Sequence, residues 1–344
     1  MAERPRIAII GAGQMGRWHL HTARKLGAQV VGVIDPDMAA ARRLAGGVRR
    51  CLAAVDLTAL LGQTRLDAAH VCTPLESHLS LGLDLVAAGI HALIEKPMVD
   101  NAADTRRLVA AAARSGTLLC PVHQYANQPC VTRAAAMLPR LGPLKRLDLT
   151  ICSAGGGAEA GSKLDDILAD ILPHPLSLIQ RLVPSADLAN VQWVVLHPAA
   201  GEVLVVAQHA GMLLNIFISL ASRPTCFTTV LQCCRGSVVL DGFHGYAVVR
   251  SGAVSRMAKI TRPFAESVQG LGAALTNLTL RALRQELAYP GLREVIGRFY
   301  TSIQQRDERL LPTSAGDTIA LAVARDNIVS QMRSRTMAAR VEIG

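Results

Sequence analysis

A glycine motif at residues 11–16 constrains this chain more than any other feature, because it follows directly on a short apolar segment. That segment, Arg6–Ile10, is predicted to be a strand, and Gly11, Gly13 and Gly16 follow it in the spacing G-x-G-x-x-G, opening a helix from about Gln14 to Leu26. In this order the first glycine permits a tight turn, the second lets the backbone approach a pyrophosphate, and the third lets helix and strand pack closely. The motif therefore predicts a β-α-β unit that binds a dinucleotide at the N-terminus of its helix.

A second predicted strand, Gln29–Ile34, ends on Asp35 and bears on which dinucleotide is bound. A carboxylate there accepts hydrogen bonds from the adenosine ribose hydroxyls and repels the 2′-phosphate of NADP, so NAD is expected. Arg42 and Arg43 lie about two turns into the following helix, and an arginine there could reach a 2′-phosphate. NADP therefore stays an alternative, although a solvated helix face is the simpler interpretation of that pair.

Length and strand pattern predict two domains. The chain has 344 residues, enough for two separate cores. Strands alternate with helices up to about residue 123, which predicts a doubly wound, mostly parallel sheet. From residue 144 onward several strands follow one another with short turns, which predicts an open, mostly antiparallel sheet covered by helices on one face. We therefore expect an N-terminal Rossmann NAD(P)-binding domain in residues 1–123 and a C-terminal α+β domain for substrate binding and oligomerisation in residues 124–344.

Composition argues against several classes of partner. The net charge of +10 comes from dispersed arginines, and only 3% of residues are aromatic, so no nucleic-acid interface is expected. No stretch is apolar enough to span a membrane and no secretory signal precedes the first strand, which predicts a cytoplasmic protein. Eight cysteines without a C-x-x-C pair indicate reduced core residues, and the scattered histidines offer no metal site.

The strands of the second domain predict an oligomer. In the segment 225–234, Phe227, Val230, Leu231 and Cys233 place apolar side chains at both alternating positions. One covered face accounts for only every second position of a strand. We therefore expect a homodimer or homotetramer joined through the open face of this sheet.

A lysine follows one of the predicted parallel strands. The strand Ile90–Ile94 ends in Glu95-Lys96-Pro97, at the carboxyl edge of the sheet where doubly wound folds bind ligands. The Lys96 ammonium could hydrogen-bond a substrate oxygen beside the nicotinamide of the cofactor. For Lys96 alone, a surface lysine at a strand end is the simpler interpretation.

An acid and an imidazole occur together in the second domain. A predicted helix from about Leu164 to Leu182 carries Asp170 and His174, which are four residues apart and share one face. A carboxylate one turn away can orient an imidazole that acts as a general base toward a hydroxyl. A core histidine paired with an aspartate fits the same spacing equally well.

Four motifs together resemble those of one known family. They are Gly11-Ala12-Gly13-Gln14-Met15-Gly16, Thr73-Pro74 followed by His78, Glu95-Lys96-Pro97, and Asp170-Ile171-Leu172-Pro173-His174. Their order and spacing are similar to those of the glucose–fructose oxidoreductase, inositol dehydrogenase and MocA (Gfo/Idh/MocA) family over nearly the whole chain. The resemblance implies a Rossmann domain, a C-terminal α/β domain with an open sheet, a nicotinamide cofactor, and a Lys/Asp/His catalytic set at the domain junction.

Carried over by motif position, the resemblance implies that Lys96, Asp170 and His174 are the catalytic residues. No metal is expected. The residues expected to contact the cofactor are Gly11, Gly13, Gln14, Met15, Gly16, Asp35, Thr73, Pro74, His78, Glu95, Lys96 and Pro97.

This chain departs from the family pattern around the histidine. Family members often have D-x-G-x-H-x-x-D, whereas Leu172 replaces the glycine here and Ser177 replaces the second aspartate. Prolines 173 and 175 flank His174 and are expected to bend the helix axis. The pocket floor is thus unlike that of a typical polyol site. Tyr125 and Ser177 are the candidate substrate contacts, and the aromatic residues that could stack on a sugar are Tyr125, Phe243 and Tyr246.

The expected function is an NAD(P)-dependent oxidoreductase that moves a hydride between the nicotinamide and a carbinol or carbonyl carbon of a sugar, cyclitol or nucleotide-sugar derivative. Lys96 would polarise the substrate oxygen, His174 would exchange its proton, and Asp170 would orient His174. Leu172 and Ser177 suggest an alternative, a ketone or imine reductase of a specialised biosynthetic pathway. A cofactor-bound regulator without catalysis is a third hypothesis, and the joint presence of the three catalytic residues argues against it.

Overall fold

The computed structural model describes residues 4–341 apart from residues 156, 158, 160 and 287. The chain divides into two compact units. The first comprises Met1–Gln124 and Leu292–Ala322, and the second comprises Tyr125–Gly291 and Val323–Gly344.

A six-stranded parallel sheet forms the centre of the first unit. Its strands are β1 (Arg6–Ile10), β2 (Gln29–Ile34), β3 (Leu52–Ala54), β4 (Ala68–Val71), β5 (His91–Ile94) and β6 (Leu119–Pro121). The spatial order is β3-β2-β1-β4-β5-β6, and every neighbouring pair is parallel. The connecting helices are α1 (Gln14–Lys25), α2 (Met38–Ala45), α3 (Leu57–Leu61), α4 (His78–Ala87) and α5 (Ala102–Ser115). The predicted doubly wound parallel sheet is confirmed.

Consecutive residues are buried along the inner strands of this sheet. All four residues of β4 and the last four of β1 are buried, so both faces of the sheet are covered. The strand order reverses its direction between β1 and β4, and doubly wound folds bind their ligands at the carboxyl ends of strands at such a point. The predicted glycine turn follows β1 and therefore lies at this position.

A seven-stranded mixed sheet forms the second unit. Its strands are β7 (Leu144–Cys152), β8 (Val194–Ala199), β9 (Glu202–His209), β10 (Met212–Ser219), β11 (Cys226–Cys233), β12 (Gly236–Asp241) and β13 (Tyr246–Ser251). The order is β13-β12-β11-β7-β10-β9-β8, and all pairs are antiparallel except β7 with β10. Its helices include α6 (Pro129–Leu141), α7 (Ser162–Ile171), α8 (Pro173–Leu182) and α9 (Arg256–Arg284). The predicted mostly antiparallel sheet is confirmed.

The two faces of this second sheet differ in exposure. Burial alternates along β9 and β11, so that Val205 and Leu231 are buried while Val206 and Val230 are partly exposed. Between Val206 and Val230 in the same cross-strand row lie Asn215 and Asp148, with the Asn215 Nδ2 donating to Asp148 Oδ1 at 2.8 Å. One face is therefore core, and the other combines apolar side chains with a short polar stripe.

The segment Leu292–Ala322 corrects the expectation that residues 124–344 form one domain, because it belongs to the first unit. It contains α10 (Leu292–Gln305) and the start of α11 (Ala315–Val341). Helix α10 packs against α1 and β5. The side chains that α10 buries are Leu292, Val295, Ile296, Phe299, Tyr300 and Ser302. The first core is thus completed by a helix nearly 200 residues further along the chain than α5.

Candidate active site and cofactor pocket

The turn between β1 and α1 is shaped by its glycines. Gly11 has φ 97°, and a Cβ atom there would lie 2.6 Å from the carbonyl oxygen of Cys72. A Cβ atom at Gly16 would overlap the carbonyl oxygen of Gly11, so α1 packs directly on the turn. At Gly13 no atom lies within 4 Å of the corresponding position. The turn thus leaves open space where the backbone amides at the start of α1 can meet a phosphate.

Asp35 lies directly after β2, and two backbone amides hold its carboxylate. Oδ2 accepts a hydrogen bond from the amide of Ala12 at 2.8 Å, and Oδ1 accepts one from the amide of Asp37 at 2.9 Å. Asp37 in turn caps α2 by accepting from the amide of Ala39, and it lies 3.7 Å from the guanidinium of Arg43. The Asp35 carboxylate is therefore fixed beside the glycine turn, with lone pairs left for ligand hydroxyls.

A cavity of about 740 Å³ opens at this point of the first unit. Five of the residues predicted to contact the cofactor line it, namely Gly11, Gly13, Asp35, Thr73 and Pro74. The other lining residues are Ile10, Ile34, Pro36, Val55, Asp56, Leu57, Thr58, Cys72, Glu76, Ser77, Ser80, Leu81 and Asp84. The lining of the cavity thus mixes apolar side chains with a few polar groups, as expected of a nucleotide pocket.

The charge of this cavity is negative. Four carboxylates line it, from Asp35, Asp56, Glu76 and Asp84, and none of its described lining residues is Arg, Lys or His. The arginines 42 and 43 are exposed on α2 and are not among the lining residues. This lining suits ribose hydroxyls and opposes a 2′-phosphate.

His78 ties two of the predicted cofactor loops together. Its Nδ1 lies 2.9 Å from the carbonyl oxygen of Pro97, and its Nε2 lies 2.9 Å from the carbonyl oxygen of Thr73. The imidazole is buried, so its contacts are to the protein backbone. At the start of α1, Gln14 is exposed and Met15 is half-buried.

A buried chain of hydrogen bonds reaches Glu95 from the far side of the core. The Tyr300 hydroxyl lies 3.0 Å from His70 Nε2, His70 Nδ1 lies 3.1 Å from His19 Nδ1, and His19 Nε2 lies 3.0 Å from Glu95 Oε1. All four side chains are buried. One set of tautomers gives every contact a donor while both imidazoles stay neutral, with Tyr300, His70 and His19 each donating toward the carboxylate.

Glu95 connects this series of hydrogen bonds to the candidate catalytic lysine. Its second oxygen, Oε2, accepts a hydrogen bond from the backbone amide of Lys96 at 3.1 Å. His123 is buried nearby, where burial lowers its pKa to about 4, with Glu95 opposing and Lys96 reinforcing the shift. The loop after β5 therefore rests on a buried carboxylate whose other oxygen is held by His19.

In the second unit, the predicted single helix 164–182 is two helices that meet at Leu172. Pro173 has no N–H group, so the carbonyl of Ala169 lacks its helical donor. Arg325, a buried residue of α11, donates its Nε–H to that carbonyl at 2.9 Å. The division of the helix is thus compensated by a specific side chain from a distant part of the chain.

Asp170 and His174 lie on either side of this division. Asp170 is exposed in the last turn of α7, whereas His174 is half-buried in the first turn of α8. The His174 ring contacts Tyr125 edge to face, with ring centroids 4.7 Å apart, and Tyr125 contacts Phe227 at 4.8 Å. Burial raises the pKa of Tyr125 to about 12, so the phenol keeps its proton at neutral pH. Phe243 completes this aromatic group, 6.5 Å from Tyr125.

Two residues at which the chain departs from the family pattern are buried. Leu172 is fully buried. Ser177 is buried as well, and its hydroxyl donates to the carbonyl oxygen of His174 at 2.9 Å. The Ser177 hydroxyl is therefore engaged within α8. Tyr246, in contrast, is half-buried on β13 beside His244, with ring centroids 6.4 Å apart.

The sequence motifs did not predict four buried residues near the candidate site, namely His19, His70, His123 and Tyr300. A signal existed for His70, which interrupts the apolar run Ala-Ala-His-Val of β4, since a polar side chain in a fully buried strand needs a buried partner. Within the described chain, no three His, Cys, Asp or Glu side chains are grouped as a metal ion requires. No described helix is both long and apolar enough to cross a membrane.

Comparison with known sequences covers the first unit best. Residues 5–123 match the GFO_IDH_MocA family model, described as an oxidoreductase family with an NAD-binding Rossmann fold. Inositol 2-dehydrogenase 4 of Saccharopolyspora erythraea is 34% identical over 120 residues, which is 34% of this chain and 35% of that protein. The chain thus aligns with about a third of the length of this relative.

Comparison with solved structures extends over both units. UDP-N-acetylglucosamine 3-dehydrogenase GnnA from Acidithiobacillus ferrooxidans is similar with a TM-score of 0.73 at 18% identity, covering 97% of this chain and 99% of that one. The WlbA dehydrogenase from Bordetella pertussis, solved with NADH and UDP-GlcNAcA, gives a TM-score of 0.75 at 14% identity over 97% of each chain. At these identities the similarity establishes the fold. Residues 5–123 thus match the NAD-binding Rossmann domain of the Gfo/Idh/MocA oxidoreductase family, and the chain shares its fold with these solved dehydrogenases.

Proposed function

We propose that this protein is an NAD-dependent oxidoreductase that transfers a hydride between the nicotinamide and a carbinol or carbonyl carbon of a sugar, cyclitol or nucleotide-sugar derivative. The observation that carries the proposal is the cavity beside the glycine turn, in which Asp35 is held by two backbone amides. The names of the relatives support the class of reaction, since they include a cyclitol dehydrogenase and two proteins acting on or binding UDP-sugars.

The residues of the cavity fit a dinucleotide. The amides at the start of α1 would hold the pyrophosphate, and Asp35 would accept hydrogen bonds from the adenosine ribose. When bound, the nicotinamide supplies the site that gains or loses the hydride. The loop of Thr73 and Pro74 and the loop of Lys96 and Pro97, joined by His78, would border the cofactor.

The negative lining supports a preference for NAD over NADP. We expect NADH to bind at least about tenfold more tightly than NADPH, and Asp35→Ser to weaken NADH binding by about tenfold or more, since hydrogen bonds to a charged group are worth about 1.5–3 kcal/mol. Titration of nicotinamide fluorescence measures both affinities, with Asp166→Ser, an exposed carboxylate of the second unit, as the matched control. Equal affinities, or tighter binding of NADPH, would show that Asp35 does not decide the preference.

Lys96, His174 and Asp170 are the proposed catalytic set. In the oxidation direction, the hydroxyl proton of the substrate would pass to His174 as the carbon loses its hydride, and the Lys96 ammonium would hydrogen-bond the same oxygen. Glu95, held by His19, supports the backbone of Lys96 from within the core. Asp170 would orient the imidazole of His174. In the reduction direction the proton returns to the carbonyl oxygen.

Substitution of these residues tests the catalytic assignment. Lys96→Ala and His174→Ala should each lower kcat by about 10²-fold or more, while NADH affinity stays nearly unchanged, because a positioned acid or base is lost. Asp170→Asn should lower kcat by a smaller factor, since the imidazole of His174 remains. Lys163→Ala and His244→Ala, two exposed residues of the same types, serve as controls. The assay first needs a screen of sugars, cyclitols, UDP-sugars and ketones. A wild-type rate in His174→Ala would make His174 a core residue and leave Lys96 or Tyr125 as the proton carrier.

A less polar substrate is the second candidate. Leu172 and Ser177 are buried at the two positions where the family pattern has Gly and Asp, so position 177 supplies no carboxylate for a polyol. That observation favours a ketone or imine of a specialised pathway. Turnover of ketones without turnover of sugars in the same screen would select this candidate. NADH binding without turnover of any class would instead select a cofactor-bound regulator.

The open face of the second sheet is the proposed surface of a homodimer or homotetramer. One row across it contains Val194, Val206, Val230, Val239 and Val248, of which Val194 is 49% exposed. Burial of this row against a second copy would remove it from water. The eight cysteines are free thiols, which suits the reducing cytoplasm that we propose as its location. A monomer mass in light scattering at micromolar concentration would contradict the assembly.

A further inference from the structure

Helix α9 turns its polar side toward its own unit and its apolar side outward. None of the side chains in this 29-residue helix is buried. On the inner side Glu266 lies 3.2 Å from Arg250, and Asn277 and Arg281 donate to the carbonyl of His244 at 2.7 and 3.0 Å. Nine large apolar residues of α9 are exposed, among them Ile260, Leu280 and Leu283. The other six follow one line along the outer side and are each 55% to 76% exposed; they are Met257, Phe264, Val268, Leu271, Leu275 and Leu278. We call these six residues the α9 seam.

The spacing of the α9 seam is that of a helix packed along another helix. Met257, Phe264, Leu271 and Leu278 recur every seven residues, and Val268 and Leu275 fall between them in alternating steps of four and three. A repeat of 3.5 residues keeps a narrow apolar stripe facing a partner helix that supercoils with it. The pattern therefore favours a helical partner.

The positions beside the α9 seam indicate which helical partner fits. On one side they hold Ala258, Ala265, Gly272 and Thr279, and on the other Ile260, Ser267 and Ala274. Charges at these positions normally select a different partner chain, and small uncharged side chains impose no such choice. They also place no like charges against each other when two identical helices meet. The exception is Arg281, whose guanidinium is engaged on the inner side of α9.

Gly272 is a further indication that a second helix packs closely against α9. No atom lies within 4 Å of the position that its Cβ would occupy, so nothing within the subunit requires a glycine there. A glycine in an exposed helix costs about 1 kcal/mol relative to alanine. Beside the seam, however, it lets the backbone of a second helix come near.

We propose that α9 packs along α9 of a second copy of this chain, in a two-fold contact formed by the α9 seam. A helix of this length spans about 43 Å. Pro263 removes one backbone N–H within it, and five of the six seam residues lie in the continuous part that follows Pro263. Its six seam side chains, at on the order of 100 Å² each when fully exposed, supply several hundred Å² of apolar surface. At their observed exposure this is about 400 Å², which is comparable to the largest apolar patch of an ordinary monomer and about half of the roughly 800 Å² per partner of a stable interface.

This contact is separate from the proposed pairing of the open sheet faces and does not depend on the proposed reaction. With the α9 contact alone the protein would be a dimer. With both two-fold contacts, and with their axes crossing at right angles, it would be a closed tetramer. In either case the loss of the α9 contact halves the molecular mass of the assembly.

Light scattering of charge-bearing variants of the full chain tests the proposal. Leu271→Glu places a carboxylate in the centre of the α9 seam, and Gln269→Glu places the same charge on an exposed position two residues away and outside it. At about 20 µM subunit, we expect Leu271→Glu to halve the wild-type mass and Gln269→Glu to keep it. Leu275→Glu should repeat the effect. Because both leucines are exposed within the subunit, the helix content of both variants should stay close to that of the wild type.

Three results would overturn the proposal. The first is a monomeric wild type, and the second is a wild-type mass in Leu271→Glu, which would assign any assembly to another surface such as the open sheet face. The third is flotation of the wild type, but not of Leu271→Glu, with vesicles of phosphatidylglycerol and phosphatidylcholine, which would make the α9 seam a lipid-binding surface. Val230→Glu, on the open sheet face, separates the failure of the sheet contact from that of the α9 contact, because it leaves the α9 seam intact.

Discussion

Two buried histidines should make the first unit less stable in mild acid. His70 and His123 are buried, and burial lowers the pKa of both, to about 4 for His123 from its ordinary 6.5. His19 beside His70 lowers the pKa of His70 further. In the unfolded chain both imidazoles return to their ordinary pKa. Below pH 6.5 the unfolded state therefore binds protons that the folded state does not, and the free energy of unfolding falls as the pH falls.

The size of the effect follows from the His123 shift. At pH 5 the unfolded imidazole is almost fully protonated while the folded one is still neutral, which lowers the free energy of unfolding by about 2 kcal/mol relative to pH 7.5. The loss grows to on the order of 3 kcal/mol near pH 4, where the folded imidazole begins to titrate. His70 adds a contribution of the same sign. Such a loss is a substantial part of the 5–15 kcal/mol by which domains are commonly stable.

Urea unfolding followed by tryptophan fluorescence measures this effect. The chain has two tryptophans, Trp18 in α1 of the first unit and Trp193 in the second, so a Trp193→Phe background leaves one reporter for the first unit. In that background, the free energy of unfolding of His123→Gln should fall by about 2 kcal/mol less than that of its parent between pH 7.5 and pH 5. His21→Gln, at an exposed position of α1, should behave like the parent. Equal pH dependence of the parent and His123→Gln would refute the reasoning, because it would mean that His123 accepts a proton in the folded state as easily as in the unfolded chain.

Two further predictions concern buried hydrogen bonds. Tyr300→Phe removes only a hydroxyl, but it leaves Nε2 of His70 without its buried partner, so the free energy of unfolding should fall by about 1–3 kcal/mol. The control, Tyr246→Phe on a half-buried strand, should change the free energy of unfolding little in the same urea assay. Arg325→Met should lower the free energy of unfolding by a similar amount, because the carbonyl of Ala169 then loses the side-chain donor that replaces the N–H group absent from Pro173. Arg333→Met, at an exposed position of the same helix, is the control. A loss under 0.5 kcal/mol in either buried variant, the usual range of surface substitutions, would mean that water replaces the bond.

The sequence by itself determined most of the first unit and the position of its pocket. The order of strand, glycine turn, helix, strand and Asp35 is local, and each element forms from its own periodicity and turn residues. Parallel strands connected by helices align their carboxyl ends at one edge of the sheet. The Glu95-Lys96-Pro97 loop could therefore be placed at that edge from the sequence alone, and the antiparallel character of the second sheet followed from short turns between successive strands.

The tertiary structure alone decided which distant residues meet. Glu95, His19, His70 and Tyr300 belong to four different elements, and nothing in the spacing of these residues joins them into one chain of hydrogen bonds. In the same way, the return of α10 to the first core depends on which apolar face it finds to cover, and the outward direction of the α9 seam depends on which face of α9 its own unit binds. Local periodicity shows that a helix has an apolar face, but the burial of that face is a property of surfaces that are far apart in the sequence.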